Sequence, residues 1–233
     1  MENRLFMPIQ NILFKNLAEK LHIYLELLRE WNSRMDLTAV LEDEETVDRH
    51  FIDSLTVLKT GLIGDASSLI DVGTGAGFPG LVLAMANPEL RVTLLDAQQK
   101  RLDFIQAVCE ATGTANTVIV HARAEDGARR KELREQFDIA TSRAVANLST
   151  LSEYCLPFVN INGTFVSYKS GIVDDELSLA TNAIRVLGGD TPAVERYSIP
   201  FTEYDRSLCF INKRDHTADK YPRRSGIPLK KPL

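Results

Sequence analysis

A glycine-rich stretch carries the clearest chemical signal in this sequence. It reads Asp71-Val72-Gly73-Thr74-Gly75-Ala76-Gly77-Phe78-Pro79-Gly80. The stretch follows a short apolar segment typical of a strand and leads into a segment typical of a helix. Glycines remove Cβ atoms, so a ligand can lie against exposed N–H groups at the start of the helix. We therefore predict a ligand-binding loop at the carboxyl edge of a parallel sheet.

Two cofactor patterns overlap in this loop. G-x-G-x-x-G from Gly75 fits the dinucleotide fingerprint, whereas D-x-G-x-G-x-G from Asp71 fits the signature of S-adenosylmethionine enzymes. The Asp71 carboxylate favours the second pattern, because it suits a cationic ligand and repels a pyrophosphate. Asp96, at the end of the next predicted strand, is placed to bind a ribose in either case. A loop that only packs a helix on a strand is the remaining alternative.

Two later strand ends add candidate residues. Ala124 and Glu125 follow the third predicted strand, where an adenine ring could contact Ala124 while Glu125 accepts its amino group. Alternatively, Glu125 is only a favourable charge at a helix N-terminus. Arg143 ends the fourth predicted strand, at the edge that faces the transferred group in this fold class. We favour a functional clamp for Arg143 over a solvated loop cation.

These residues would be positioned by helices followed by alternating strands and helices. Leucines spaced three and four apart predict a first helix that extends to Trp31, and the acidic run from Glu42 to Glu45 predicts the start of a second helix that ends at Gly61. Residues 1–62 are thus predicted to form a helical cap. Residues 63–212 predict an α/β doubly wound, Rossmann-like sheet that is mostly parallel, with one antiparallel strand near the C-terminus. Residues 213–233 form a basic tail that we expect to be extended.

Composition excludes several classes of protein. The chain has 233 residues, 44% hydrophobic and 25% charged, which is ordinary for a globular protein and unlike a disordered one. No apolar run approaches the ~20 residues of a membrane span, and the first residues lack a signal-peptide layout, so we expect a cytoplasmic protein. Cys109, Cys155 and Cys209 are isolated, which predicts reduced, buried thiols. We predict no metal, because no histidine pair has ligand spacing.

Charge is distributed unevenly along the chain. The net charge is −5, yet residues 212–233 carry seven Lys or Arg against two Asp, a local charge of +5. The rest of the chain therefore carries −10. A basic segment on an acidic body indicates either contact with a polyanion such as RNA or a solubilising terminus.

Taken together, these segments resemble the bacterial small-subunit ribosomal RNA guanine-N7 methyltransferases, also called the glucose-inhibited division protein B family. The similarity runs from about Trp31 to Leu233. The stretches that carry it are Trp31-Asn32, Asp36-Leu37-Thr38, His50-Phe51-Ile52-Asp53-Ser54-Leu55, residues 69–80, Leu94-Leu95-Asp96 with Lys100-Arg101, Arg123-Ala124-Glu125, Ser142-Arg143-Ala144, Lys220-Tyr221-Pro222-Arg223-Arg224 and residues 228–233. The sequence departs from the family at Arg34-Met35 and at Ser170 after Lys169.

The resemblance implies a class I methyltransferase that uses S-adenosylmethionine to methylate N7 of guanine 527 in 16S ribosomal RNA. We expect a monomer that binds the small ribosomal subunit and no membrane. The expected cofactor-binding residues are Asp71, Gly73, Gly75, Gly77, Phe78, Asp96, Ala124, Glu125 and Arg143. The expected RNA-binding residues are Lys100, Arg101, Arg123, Lys169, Arg223 and Arg224.

The expected catalytic residues are Arg143, Asp53 and His50. Guanine N7 carries no proton, so the reaction needs positioning and no general base. A carboxylate such as Asp53 near the acceptor would favour the charged product, although a helix-end role is its alternative. His50 alone would be interpreted as a packed histidine. The rival functions are a non-catalytic RNA-binding or assembly factor and a nicotinamide-dependent oxidoreductase.

Overall fold

The computed structural model describes residues 3–35, 37–38, 43–143, 146–171, 173–199 and 202–233. A seven-stranded sheet organises this part of the chain. Its strands are β1 (Ser68–Val72), β2 (Arg91–Asp96), β3 (Thr117–His121), β4 (Phe137–Arg143), β5 (Val159–Ser170), β6 (Ala193–Ser198) and β7 (Asp205–Asn212). The helices are α1 (Asn3–Asn32), α2 (Asp43–Thr46), α3 (Asp53–Leu55), α4 (Leu62–Asp65), α5 (Gly80–Ala86), α6 (Gln99–Thr112), α7 (Ala124–Gly127), α8 (Leu148–Cys155), α9 (Asp174–Val186) and α10 (Ile227–Lys230).

The strand order confirms the predicted doubly wound sheet. The strands lie in the order β3-β2-β1-β4-β5-β7-β6. The pairs among β1 to β5 are parallel, whereas β7 runs antiparallel to both β5 and β6. Strand order reverses between β1 and β4, and ligands bind beyond the carboxyl ends of the strands at such a switch point.

Both faces of the central strands β1, β2 and β4 are buried, which explains why these strands are mostly apolar. Successive residues point to opposite faces, so Leu69 of β1 joins one core cluster and Ile70 joins the other. Residues of α1, α5 and α6 complete the first cluster, and residues of α8 and α9 complete the second. A parallel sheet covered on both faces needs such strands.

The predicted helical cap packs on the first of these clusters. Tyr24 and Leu28 of α1 are buried there, together with Phe51 and Val57 from the second helical stretch. That stretch passes from α2 through a π-helix (Val47–Ile52), α3 and a 3₁₀-helix (Thr56–Thr60). It ends, as predicted, at Gly61, whose φ of 77° suits glycine. The acidic run predicted to start this stretch is helical from Asp43 onwards, and Glu42 lies outside the described residues.

The prediction of an extended C-terminal tail is wrong. Lys213 is fully buried, and its Nζ donates to the Leu156 carbonyl at 2.7 Å and to Thr217 Oγ1 at 2.6 Å. Farther along, Pro228 is buried and its carbonyl accepts from Thr150 Oγ1. The tail is basic in composition, but these contacts fold it against α8 and the end of β7.

Candidate active site

A cavity of about 560 Å³ opens at the carboxyl edge of the sheet. It lies where the glycine loop after β1 meets the ends of β2, β3 and β4. Seven of the predicted cofactor residues line it: Gly73, Gly75, Phe78, Asp96, Ala124, Glu125 and Arg143. Its size falls within the range of small-molecule sites.

Main-chain hydrogen bonds hold the glycine loop in place. The N–H groups of Gly73 and Thr74 both donate to the Leu95 carbonyl, at 2.9 and 3.0 Å. Gly73 and Gly75 adopt φ values of 71° and 60°, a region that favours glycine. The Cβ of any residue replacing Gly75 would have only the Gly73 carbonyl oxygen within 4 Å. The loop therefore leaves room for a ligand beside its backbone.

Asp96 ties the end of β2 to this loop. Its side chain is only 4% exposed; Oδ2 accepts from the Gly75 N–H at 2.9 Å, and Oδ1 accepts from the Gln98 N–H at 2.8 Å. Arg101 lies 3.6 Å from Oδ2. The carboxylate is thus fixed in orientation at the cavity wall, where a ribose hydroxyl could donate to its remaining lone pairs.

Two predicted cofactor residues, Asp71 and Gly77, do not line the cavity. Asp71 is fully buried beneath the loop, where Oδ2 accepts from the Gly80 N–H at 3.0 Å and Oδ1 from Thr141 Oγ1 at 2.9 Å. Burial raises the pKa of this carboxyl above its usual value. A Cβ at Gly77 would lie 2.5 Å from Tyr24 Oη. Both residues shape the loop instead of facing a ligand.

Tyr24 is a loop-supporting residue that the sequence did not reveal as such. Its hydroxyl donates to the Ala76 carbonyl, and its ring stacks on Phe78 with the centroids 5.3 Å apart. The only sequence signal was its place in the apolar stripe of α1, which a core residue explains equally well. Through Tyr24, the first helix contacts the loop that lines the cavity.

His50, Phe78 and Arg143 form a stack at one end of the cavity. The His50 and Phe78 ring centroids are 4.6 Å apart, and the Arg143 guanidinium lies 5.1 Å from the Phe78 centroid. Burial, together with the neighbouring Arg143 cation, lowers the pKa of His50 to about 4. His50 is therefore neutral at pH 7. Its Nδ1 lies 3.2 Å from Arg143 Nη2 and 3.1 Å from the Arg49 carbonyl oxygen, and its Nε2 lies 2.9 Å from Thr38 Oγ1, so both ring nitrogens are within hydrogen-bond distance of partners.

Arg143 is held rigidly and only 13% of its side chain is exposed. Nη1 donates to Asp53 Oδ2 and to the Arg49 carbonyl, each at 3.0 Å. The other oxygen of Asp53 accepts from Tyr197 Oη at 2.7 Å, and Arg206 Nε lies 3.6 Å away. These contacts contradict the alternative of a solvated loop cation and agree with a clamp. Tyr197 and Arg206 were not singled out from the sequence.

A second cavity, of about 580 Å³, lies on the other side of this cluster. His50 and Arg143 line both cavities. Asp53, Tyr168, Lys169 and further residues from β7 and α9 complete the second one. Two cavities that share a wall provide the arrangement that group transfer between two bound molecules requires.

Comparisons with known proteins identify the family. The family model described as GidB, rRNA small subunit methyltransferase G, matches residues 17–208. The chain belongs to this family. A ribosomal RNA small subunit methyltransferase G of Clostridium beijerinckii is 48% identical over 221 residues, which cover 95% of this chain and 92% of the relative. One from Clostridium perfringens strain 13 is 46% identical over 92% of this chain and 90% of its own length.

Solved structures of other methyltransferases share the fold of this methyltransferase G family member. An O-methyltransferase of Bacillus cereus in complex with SAH superposes with a TM-score of 0.57 at 16% identity, covering 85% of this chain and 91% of that one. A SAM-dependent O-methyltransferase of Thermotoga maritima gives a TM-score of 0.56 at 13% identity, covering 82% of this chain and 73% of that one. At these identities the similarity shows the fold alone.

The C-terminal segment of this family member forms part of the first cavity. Gly226 and Leu229 line it, and the Gly226 N–H donates to Glu125 Oε1 at 2.8 Å. Arg223 binds both oxygens of Glu153, whose side chain is fully buried. The Gly226 hydrogen bond occupies one oxygen of Glu125 and orients its carboxylate.

The predicted RNA-binding residues lie in different surroundings. Arg101 and Arg123 line the first cavity, and Lys169 lines the second. Lys100 and Arg224 are exposed and line neither cavity. Arg223 is paired with Glu153.

Within the described part of the chain, no group of three His, Cys, Asp or Glu side chains could hold a metal ion. A search of the same residues finds no helix that is both long and apolar enough to span a membrane. All three cysteines are free and buried, which confirms that prediction.

Proposed function

We propose that this protein transfers a methyl group from S-adenosylmethionine to N7 of a guanine in 16S ribosomal RNA, guanine 527 by family resemblance. The observation that carries the proposal is the pair of cavities that meet at His50 and Arg143 in a member of the methyltransferase G family. The first cavity would hold the methyl donor and the second the acceptor base. The membership in a methyltransferase family argues against the oxidoreductase alternative.

The lining of the first cavity fits S-adenosylmethionine. This cofactor supplies an electrophilic methyl group on a sulfonium. The backbone of Gly73 and Gly75 would contact its amino-acid portion, Asp96 would accept from the ribose hydroxyls, and Ala124 and Glu125 would frame the adenine. Each of these residues lines the cavity. The fixed orientation of Asp96 means that no side-chain reorganisation is needed on binding.

The chemistry around the shared wall suits an acceptor atom that carries no proton. His50 is neutral, and both of its ring nitrogens lie within hydrogen-bond distance of protein groups, so neither nitrogen is a free base site. Burial raises the thiol pKa of Cys109, Cys155 and Cys209, which argues against the thiolate nucleophile that pyrimidine carbon methylation needs. Guanine N7 is a bare lone pair, so transfer to it requires alignment alone.

In this proposal Arg143 positions the reacting groups, and Asp53 acts through Arg143. Asp53 is 2% exposed and binds both Arg143 and Tyr197, so it holds the guanidinium in place at the wall. The earlier expectation that Asp53 directly favours the charged product is thereby replaced by a positioning role. Lys100, Arg101, Arg123, Lys169 and Arg224 would contact RNA, and the protein would act as a cytoplasmic monomer.

Transfer of labelled methyl from S-adenosylmethionine tests the proposal. Unmodified small subunits and naked 16S RNA would each be incubated with the protein, and the RNA digested for nucleoside chromatography. Label is expected in 7-methylguanosine. Asp96→Ala should abolish incorporation because it removes the ribose contact, whereas Asp103→Ala, an exposed acid on α6, should not. Label in another nucleoside would overturn the acceptor, and no label from wild type would favour the non-catalytic RNA-binding factor.

A further inference from the structure

An ion pair at the edge of the second cavity has the polarity needed to recognise guanine. Lys169, near the end of β5, and Glu176, in the first turn of α9, both line this cavity. Lys169 Nζ lies 2.9 Å from Glu176 Oε2 and 3.2 Å from Oε1. The Lys169 side chain is 12% exposed and that of Glu176 is 34% exposed. A donor and an acceptor therefore stand side by side at an accessible edge.

Two other polar groups of the cavity, Arg143 and the Tyr168 hydroxyl, are already committed to partners. Arg143 is bound to Asp53, the Arg49 carbonyl and His50. The Tyr168 hydroxyl donates to the Ser54 carbonyl at 3.0 Å. Lys169, by contrast, donates to the Ala146 carbonyl and to Glu176, and an ammonium has three donors. The ion pair thus retains the capacity to bind a polar edge that enters the cavity.

We propose that Lys169 and Glu176 bind the O6 and N1–H edge of the acceptor guanine and thereby determine base specificity. This inference rests on the proposed function. O6 and N1–H are neighbouring groups on the guanine ring, one an acceptor and the other a donor. Lys169 donates to O6 and Glu176 accepts from N1–H. Adenine carries an amino donor and a bare N1 acceptor at these positions, so both contacts would have the wrong polarity.

The same contact assists the reaction electrostatically. Methylation of N7 places a positive charge on the purine and strengthens N1–H as a donor. The Glu176 carboxylate that accepts from N1–H then interacts more strongly with the product than with the starting base. Glu176 consequently contributes both to recognition and to stabilisation of the developing charge.

Substitution of Glu176 tests the inference on the full-length protein. Glu176→Gln should lower kcat/KM for methylation of unmodified small subunits about tenfold, because the charge-assisted hydrogen bond to N1–H becomes a neutral one. The affinity for S-adenosylhomocysteine and the melting temperature should stay near wild type. Asp174→Asn is the matched control: it lies on the same helix and breaks the exposed pair with Arg196, and it should leave kcat/KM unchanged.

Base analogues provide a readout that a purely structural role would not alter. Small subunits would be reconstituted with inosine or 2-aminopurine at the target position. Inosine keeps O6 and N1–H, whereas 2-aminopurine has neither. Wild type should strongly prefer inosine, and Glu176→Gln should reduce that preference severalfold. Equal methylation of both analogues by wild type would overturn the inference.

Two further outcomes separate the inference from its rivals. If the cavity binds a phosphate instead of a base, Glu176→Gln removes a repulsive charge, and kcat/KM should rise, which would overturn the inference while leaving the methyltransferase function intact. If wild type forms no 7-methylguanosine in the same assay, the proposed function itself fails.

Discussion

Stability should depend on pH through His50. The folded protein protonates this ring only near pH 4, because the ring is buried and faces Arg143, whereas an unfolded chain protonates it near 6.5. Between pH 4 and pH 6.5 the unfolded state therefore binds more protons than the folded state. The contribution of His50 to the free energy of unfolding is present above pH 6.5 and is lost as pH falls towards 4. The difference between the two pKa values corresponds to about 3 kcal/mol.

A comparison with His50→Gln isolates this effect. Urea unfolding of both proteins between pH 7.5 and 4 should show the wild type losing about 3 kcal/mol more than the variant. His121→Gln, at an exposed ring, should follow the wild type. Parallel curves for wild type and His50→Gln would mean that the ring is accessible to water in solution.

At the scale of single residues, the sequence identified the site better than it identified each role. Gly73, Asp96 and Arg143 lie at strand ends, where the fold class fixes their position, and all three line the first cavity. Asp71 is at a strand end too, but its side chain points under α5, an orientation that the pattern could not reveal. Tyr197 contacts Asp53 across 144 residues of sequence, and no local pattern encodes such a contact.

At the scale of elements, strands were predictable and the C-terminal segment was not. Buried parallel strands are short apolar runs bounded by turns, and β2 and β4 end, as predicted, at Asp96 and Arg143. The segment after Asn212 has few apolar residues, so its composition indicated a solvated tail. Its folding depends on individual contacts such as Arg223 with the buried Glu153 and Gly226 with Glu125.

Because this segment forms part of the first cavity, truncation should weaken cofactor binding. Removing residues 225–233 deletes Gly226 and Leu229 and leaves Glu125, which is 5% exposed, without the Gly226 N–H. The truncated protein then no longer holds the Glu125 carboxylate in the orientation in which it would accept from the adenine amino group. The Kd for S-adenosylhomocysteine, measured by calorimetry, should therefore rise about tenfold, the size of one lost hydrogen bond to a charged group. The double variant Lys230→Ala/Lys231→Ala changes exposed positions of the same segment and should bind the cofactor normally. An unchanged Kd after truncation would show that cofactor binding does not need this segment.

At the scale of the whole molecule, folding brings the basic segment to the functional edge of an acidic protein. Residues 212–233 carry +5 and the remainder carries −10. Gly226 and Leu229 from this segment line the first cavity, beside Arg101 and Arg123. We therefore expect the exposed cations of this segment, together with Arg101 and Arg123, to attract RNA phosphates to this edge.

This asymmetry predicts a local origin for the salt dependence of RNA binding. Each Lys or Arg that neutralises a phosphate adds about 0.7 to 0.9 to the slope of log affinity against log salt concentration. Lys100→Ala combined with Arg123→Ala should therefore lower that slope by about 1.5 when binding to 16S RNA is measured between 50 and 200 mM salt.

Lys59→Ala is the control for this prediction. It removes an exposed cation from the segment that leads into the amino end of β1, and it should leave the slope unchanged. If all three proteins give the same slope, the phosphates must contact another surface, and Lys100 and Arg123 are not part of the RNA interface.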